Sequence, residues 1–593
     1  MLEHLLTATK GFVAITLREI TGKFVAQLLG DFRDKQVRKH ILAALKLSPA
    51  VNPRTDRVLF EAATMSRKNP VKSRILMPTG YYFTKRSAFL EAILAIHLRM
   101  QGAEVVGLTP GDFFEEECPL FEPYRRDERL KINLGTERAL WRRILRMPLL
   151  EVREFSVEED RLVALDQVAN LATFDELVDF EFRKYPLGYE AYLVALNLIS
   201  VAELEDTQEN RERIRIHLLN SIRYVLALQR LISAGGFSTL VSQFPFYYNW
   251  SVPHMVAKEA GMRTYGFSAG DSDGSLIVSQ APEYLHGLDK DFRSVESHAA
   301  PFTTGSGPQA DQFFSTLMGS DLRLGNTTDS SNLWRENLKL DSPTASRGLE
   351  ELTRTKKKKV FVPLNIHCDM VTLQGSPMFK NYREFLGTIV ALQRTFSDTI
   401  VFIVKVHPAE TLYQHGNGWK GCGEHLLELG WPHDSDSVLI PYQSKTRASE
   451  LWPRCDAVLS WSSTVTMEAA AGGLPNIQVG YSHLYQTDYV LKPGSIDEIF
   501  SLLDELGKGT NLMSHLPPDS ATRAAKYGIA HYTTGQVNLG LFRGSEIYPD
   551  PMVEGLVSKD IIKSQPLTDI AKKIIEGKKI FPTLSAKFEL EEA

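Results

Sequence analysis

The sequence predicts an α/β protein: two Rossmann-like domains facing a cleft, with a helical insertion and helical N- and C-terminal extensions. Three observations predict it. Short apolar runs ending in Pro, Gly or His alternate with stretches of helical length, the texture of βα units in a parallel sheet. That texture occurs twice, from Arg74 and again from Val360, on either side of a Ser/Thr/Gly/Asn/Pro-rich stretch without periodicity. Finally, 593 residues are too many for one hydrophobic core.

Residues 1–70 form the N-terminal extension. From Leu2 to Ala63 apolar positions recur at helical spacing with Lys or Arg between them. Such a helix packs on its own domain or lies on a membrane surface. The first α/β domain spans 71–290. R-I-L-M-P-T-G (Arg74 to Gly80) is a strand, Ser87 to Gln101 a helix stopped by Gly102, and A-E-V-V-G-L (Ala103 to Leu108) a second strand, together a βαβ opening. The stretch 113–232 reads as an almost wholly helical insertion. Its Arg142, Arg143 and Arg146 either meet an anionic acceptor or form a solvated face. The sheet resumes with S-T-L-V-S-Q (Ser238 to Gln243), a helix from about Ser251 to Ala260 stopped by Gly261, and R-T-Y-G-F-S (Arg263 to Ser268). The Gly/Asp-rich loop Ala269 to Ser275 leaves that strand where ligands of α/β sheets bind.

A linker is expected over 291–357, ending in a Lys run (Lys356 to Lys359) read as a solvated helix end. The second α/β domain spans 358–510. Its strands are V-F-V-P-L-N (Val360 to Asn365), T-I-V-F-I-V-K-V (Thr399 to Val406), V-L-I-P (Val438 to Pro441), A-V-L-S (Ala457 to Ser460) and N-I-Q-V (Asn476 to Val479). A helix lies near Tyr382 to Phe396, and Ser495 with Glu498 caps another over Gly494 to Leu506. Residues 511–593 read as a helical tail.

Composition excludes several classes. A net charge of -5 with no basic domain argues against a nucleic-acid partner. Four cysteines (Cys118, Cys368, Cys422, Cys455), with no C-x-x-C pair, suit a reducing compartment better than a disulfide framework. No signal-type block opens the sequence, and no uncharged apolar run reaches about 18 residues. A cytoplasmic protein is expected, at most peripheral to the inner face of the plasma membrane.

Two segments carry chemistry. Ser462, Ser463 and Thr464 stand between a strand and a helix start, where unpaired N–H groups and a partial positive charge favour a phosphate. One hydroxyl suffices for capping; three beside Gly472-Gly473 exceed it. Glu468, one turn in, either holds ribose hydroxyls or is an ordinary helix carboxylate. In Lys405-Val406-His407-Pro408, proline stops the strand, His407 emerges at its carboxyl end, and Lys405 shares its parity. An imidazole there, protonated or donating an N–H, stabilises charge growing on a leaving nucleotide phosphate. Asn365 and Pro408 complete the expected donor-binding set.

V-P-L-N-I-H-C-D-M, V-K-V-H-P-A-E, S-W-S-S-T-V-T-M-E-A-A-A-G-G-L-P and Y-S-H-L-Y resemble the C-terminal half of bacterial capsule and surface polysaccharide biosynthesis proteins. That group includes Kdo transferases and is similar to bacterial sialyltransferases with an HP motif. The resemblance covers roughly Val360 to Leu506, about a quarter of the chain. It implies a GT-B fold with the nucleotide-sugar donor on the C-terminal domain, no metal, and His407 with the Ser462–Thr464 turn on the donor phosphate.

It also implies a general base from the first domain, where HP-type sialyltransferases carry a double-acidic-Gly motif. Asp271-Ser272-Asp273-Gly274 is similar, but Ser272 replaces the first acidic residue, leaving the base open between Asp271 and Asp273. A loop shaped only for turning is the other reading, and His254 is a weaker alternative base. Asp271/Asp273 and Asp434/Asp436 also match the D-x-D pattern that holds Mg²⁺ or Mn²⁺ in GT-A enzymes, but the duplicated α/β plan disfavours that class. No zinc spacing and no P-loop are present. The expectation is an inverting, metal-independent glycosyltransferase needing no cofactor. It would move a sugar from a nucleotide-sugar donor to a cell-surface glycan or glycolipid acceptor. A CDP-alcohol-dependent glycerophosphotransferase and a non-catalytic GT-B-like binding protein are the rivals. Sugar, linkage and oligomeric state stay open.

Overall fold

The computed structural model describes residues 52–66, 71–79, 85–110, 113–114, 137–198, 201, 203–243, 247–269, 274–279, 355–367, 372, 375–408, 410, 420–432, 436–444, 446–481, 485, 487–533, 537–542, 552–578 and 580. Most of the expected N-terminal extension and linker lies outside them. Helix α1 (Pro53–Met65) opens the described chain with Asn52 as its cap, the side chain accepting the Thr55 N–H at 2.8 Å.

In the first lobe β1 (Ser73–Pro78), α2 (Lys85–Met100) and β2 (Ala103–Thr109) form the expected βαβ unit. The stretch read as helical then departs from expectation. A short π-helix, Ala139–Leu145, leads into β3 (Leu149–Glu151), which pairs with β2 in parallel. Three residues are too few to show alternation. Gly107 on β2 makes the join feasible, since a Cβ there would fall 2.6 Å from the Trp141 ring. The helical block follows and ends in α3 (Gln208–Gly235), capped by the Thr207 hydroxyl and terminated at Gly236 with φ 62°. After it come β4 (Thr239–Gln243), α4 (Tyr247–Glu259), β5 (Arg263–Ala269) and an unforeseen strand β6 (Ser275–Ser279), antiparallel to β5.

The second lobe runs β7 (Lys358–Pro363), α5 (Tyr382–Thr395), β8 (Ile400–Lys405), α6 (Cys422–Glu428), β9 (Val438–Ile440), β10 (Ala457–Ser460), α7 (Thr464–Ala471), β11 (Asn476–Gln478) and α8 (Ile496–Gly507). The Lys run does not end a helix. Lys358 and Lys359 open β7, with Lys358 Nζ 3.1 Å from Asp456 and Lys357 Nζ 2.7 Å from Asp436. Opposite charges let strand pairing proceed through a basic run.

The tail is also more than an extension. Strand β12 (Val537–Asn538) pairs antiparallel with β6, and α9 (Gln565–Glu576) packs on α2 through buried Leu567, Ile570 and Ile574.

Among the described residues the sheets read β12-β6-β5-β4-β1-β2-β3 and β11-β10-β7-β8-β9. Within each lobe the parallel strands follow one order: third, second, first, fourth, fifth. The order reverses between β1 and β4 and again between β7 and β10, the switch points outside which ligands of such sheets bind. Ile366, just past the carboxyl end of β7, belongs to the core of the first lobe, and Asn381 Nδ2 donates to Glu203 Oε1 at 2.9 Å. The carboxyl edge of the second sheet therefore abuts the first lobe. No helix of the described residues is long and apolar enough to cross a membrane.

Candidate functional site

The site is built where β10, β7 and β8 end side by side. Pairing sets Pro363 opposite Lys405 and Phe361 opposite Val458. Carried past the paired strands, the same registers set Asn365 against both His407 and Ser462. A hydrogen bond fixes one half of this, because the Asn365 carboxamide donates to the Ser462 carbonyl oxygen across the switch point. The other half follows from Leu364 N–H donating to Lys405 O at 2.9 Å and Val406 N–H to Ile440 O at 2.9 Å, which prolong the ladder to the residue before His407. Ser462 and His407 thus stand two strands apart, about 10 Å by the usual strand spacing.

Aromatic packing holds this edge in place. Trp461 is fully buried, with its ring 5.1 Å from that of Tyr382, whose hydroxyl accepts the Asn365 N–H at 2.8 Å. Beyond Trp461 the chain turns through buried Ser462. Ser463 then caps α7, accepting the Val465 N–H at 3.3 Å. Thr464 is the first residue of α7, and Glu468, one turn on, is buried.

Helix α7 covers the face of the sheet to which Val401 and Ile403 point, for both cluster with its Val465 and Ala469. Alternation puts Lys405 on that same face. The Lys405 charge lies close enough to His407 to oppose its protonation. Burial above all, then that charge, pushes the imidazole down to about 4. That direction favours the uncharged one of the two forms expected for His407, an imidazole that donates through a single N–H. Pro408 follows without an N–H, and the turn closes with Glu410 N–H donating to His407 O at 3.1 Å. The structure therefore gathers Asn365, Lys405, His407, Pro408 and the Ser462–Thr464 turn at one edge.

The expected base is not among them. Asp271 and Asp273 lie outside the described residues, as does Asp434. Gly274, which follows Asp273, has a structural reason for its identity. Its φ is 64°, and a Cβ would stand 2.9 Å from Phe542 O of the returning tail. His254 is fully enclosed in α4, 2.6 Å from the Ser242 hydroxyl, and burial pushes it down to about 3. That is a packing role, not a base open to an acceptor. Two of the three insertion arginines are likewise engaged. Arg142 donates to Leu149 O at 3.0 Å and pairs with buried Glu151, while Arg146 lies over the Phe60 ring at 4.6 Å.

Sequence reasoning missed two sets of groups. Glu137, at the carboxyl ends of β1 and β2, is fully buried and accepts from the Thr109 hydroxyl. Burial pushes its carboxyl up to about 7 against the help of Thr109, Thr79 and Arg138. Glu410, His367 and Cys422 lie together behind the His407 corner. Glu410 was visible in H-P-A-E, but nothing in the spacing ties it to a histidine and a cysteine from other loops.

No protein-family model matches the chain, and no curated protein matches it. Among solved structures it is similar to the KpsC β-Kdo 2,4-transferase of Thermosulfurimonas dismutans, at 15% identity over 49% of this chain and 79% of that one, with a TM-score of 0.30. It is also similar to the UDP-GlcNAc 2-epimerase of Neisseria meningitidis (11% identity, 77% of this chain, 97% of that one, TM-score 0.24). A third is the Streptomyces sp. SF2575 glycosyltransferase SsfS6 (11% identity, 80% of this chain, 97% of that one, TM-score 0.20).

Proposed function

We propose that the protein is an inverting, metal-independent glycosyltransferase of the GT-B type. It takes a nucleotide-sugar donor on the second lobe and passes the sugar to a cell-surface glycan or glycolipid. The reading rests above all on the level shared by His407, Asn365 and Ser462 across three adjacent strands at a topological switch point. A donor phosphate there would meet the neutral His407 N–H, the Lys405 charge and the start of α7 with Ser462, Ser463 and Thr464. Glu468 would reach the ribose. An acceptor hydroxyl, deprotonated by Asp273 or Asp271, would attack the anomeric carbon while the nucleotide leaves toward His407. Closing of the first lobe over this edge would exclude water.

The test is donor turnover and nucleotide binding by the full chain. CMP, CDP, UDP and GDP are compared by thermal shift, and the stabilising nucleotide is then offered as its sugar conjugates. The expected result is a shift with one nucleotide, sugar transfer or slow donor hydrolysis, and a loss of about 10²-fold or more in turnover for His407→Ala. Turnover of a CDP-alcohol instead of a nucleotide-sugar would assign the chain to glycerophosphate transfer. Nucleotide binding without any turnover would make it a binding protein.

A further inference from the structure

Three residues from separate segments converge behind the His407 corner: His367 after β7, Glu410 after β8 and Cys422 at the start of α6. All are buried, and one donor atom from each lies within 4.8 Å of the others. Cys422 Sγ is 3.7 Å from His367 Nδ1. Zn–S and Zn–N bonds of about 2.3 Å and 2.0–2.1 Å in tetrahedral geometry require an S···N edge of roughly 3.6 Å, so this pair already has the span of two zinc ligands.

Glu410 supplies the independent observation. Its Oε1 accepts the Cys422 N–H at 3.0 Å, which fixes the carboxylate plane. Its Oε2 is buried and, the neighbouring Cys422 thiol apart, has no hydrogen-bond partner among the described residues. A buried carboxylate oxygen left unsatisfied is costly, and a cation is the partner that a neighbouring thiol and imidazole can share with it.

We propose that His367, Glu410 and Cys422 form a Zn²⁺ site. A thiolate with an imidazole selects zinc over the hard cations Mg²⁺ and Ca²⁺, and three protein ligands leave the fourth tetrahedral position to an oxygen donor from outside the chain. The outer shell is in place. The Cys422 N–H orients Glu410, and the His425 ring stands edge-on to His367 with centroids 5.4 Å apart. The ion would tie the carboxyl ends of β7 and β8 to α6. Through the Glu410 N–H to His407 O bond it would also brace the His-Pro corner. This site is distinct from any diphosphate-bound metal, and it stands whether or not the chain transfers sugars.

The experiment strips the full-length chain with a chelator, reloads it with Co²⁺ and follows absorption, then displaces the cobalt with Zn²⁺. One Co²⁺ per chain is expected, with a thiolate-to-cobalt charge-transfer band in the near ultraviolet and tetrahedral d–d bands in the visible, all lost on adding Zn²⁺. Cys422→Ser should abolish the charge-transfer band. Glu410→Gln should weaken Zn²⁺ by about 10-fold or more while leaving the far-ultraviolet circular dichroism native, and it answers the question alone if the serine variant does not fold. Absence of tetrahedral cobalt bands overturns the proposal, as does a charge-transfer band that survives in Cys422→Ser or an unchanged zinc affinity in folded Glu410→Gln.

Discussion

The two lobes share one strand order and use it differently. In the first, the sheet grows past its parallel strands into antiparallel β6 and β12, and three buried pairs near its carboxyl edge bond within the lobe. Thr109 bonds Glu137, Ser242 bonds His254, and Ser251 bonds Glu190 at 2.7 Å. In the second, the sheet stays parallel, and its edge polar groups meet across strands at the switch point, with Asn365 bonded to Ser462 one strand from His407. Among the described residues, these first-edge groups pair locally, while those of the second edge line up across three strands.

The sharpest way to break this contrast is through the end of the tail, where β12 and α9 build on the first lobe. Ile574 in α9 is fully buried. Ile574→Ala should cost about 2–5 kcal/mol, the usual loss for emptying a core aliphatic site. Chemical denaturation should show the loss, and nucleotide binding per folded molecule should persist. An unchanged midpoint would mean that the tail is a decoration and not a part of the sheet.

Next comes the first edge itself. Glu137 is raised to about 7 mainly by burial, from an ordinary carboxyl value of about 4.3. Between those values the folded chain holds a proton that the unfolded chain has released. Stability from this group is therefore full below about pH 4, falls as pH rises, and is gone above about pH 7. The change is on the order of 3 kcal/mol. Glu137→Gln, which cannot ionise, should remove that share of the decline, so the two stability profiles should diverge between pH 5 and pH 7.5. Parallel profiles would show that the carboxyl is not sealed.

A pair of histidines then compares the lobes directly. Both are neutral at physiological pH, but His254 is fully enclosed against Ser242 while His407 is partly exposed at the switch point. His254→Ala should cost about 2 kcal/mol of stability, leaving turnover per folded molecule unchanged. His407→Ala should do the reverse, with turnover down about 10²-fold and stability nearly intact. If both variants lose only stability, His407 is a packing residue as well.

What could be read from the sequence follows the same division. The second lobe was legible strand by strand because each of its parallel strands is followed by its own helix or turn, and those signals are local. His407-Pro408 and Ser462–Thr464 stood out for that reason. The first lobe hid β3, which sits inside the stretch read as helical, and β6 and β12, whose pairing joins segments more than 250 residues apart in the chain. Asn365 became interpretable only once the register set it between Ser462 and His407. The His367, Glu410 and Cys422 cluster had no spacing to betray it, because two loops and a helix start converge there.

The smallest effect separates two roles of one hydroxyl. Ser463 caps α7 by accepting the Val465 N–H, a contribution of about 1 kcal/mol that Ser463→Ala should remove. Glycine at a cap costs only a few tenths of a kcal/mol, so Ser463→Gly deletes the hydroxyl while nearly sparing the helix. If Ser463 also meets a donor phosphate, both variants should weaken nucleotide binding equally despite their unequal stabilities. If binding instead tracks stability, weak in the alanine variant and normal in the glycine one, the hydroxyl is a cap alone. Anion binding at this edge would then fall to His407, Lys405 and the bare N–H groups of the helix.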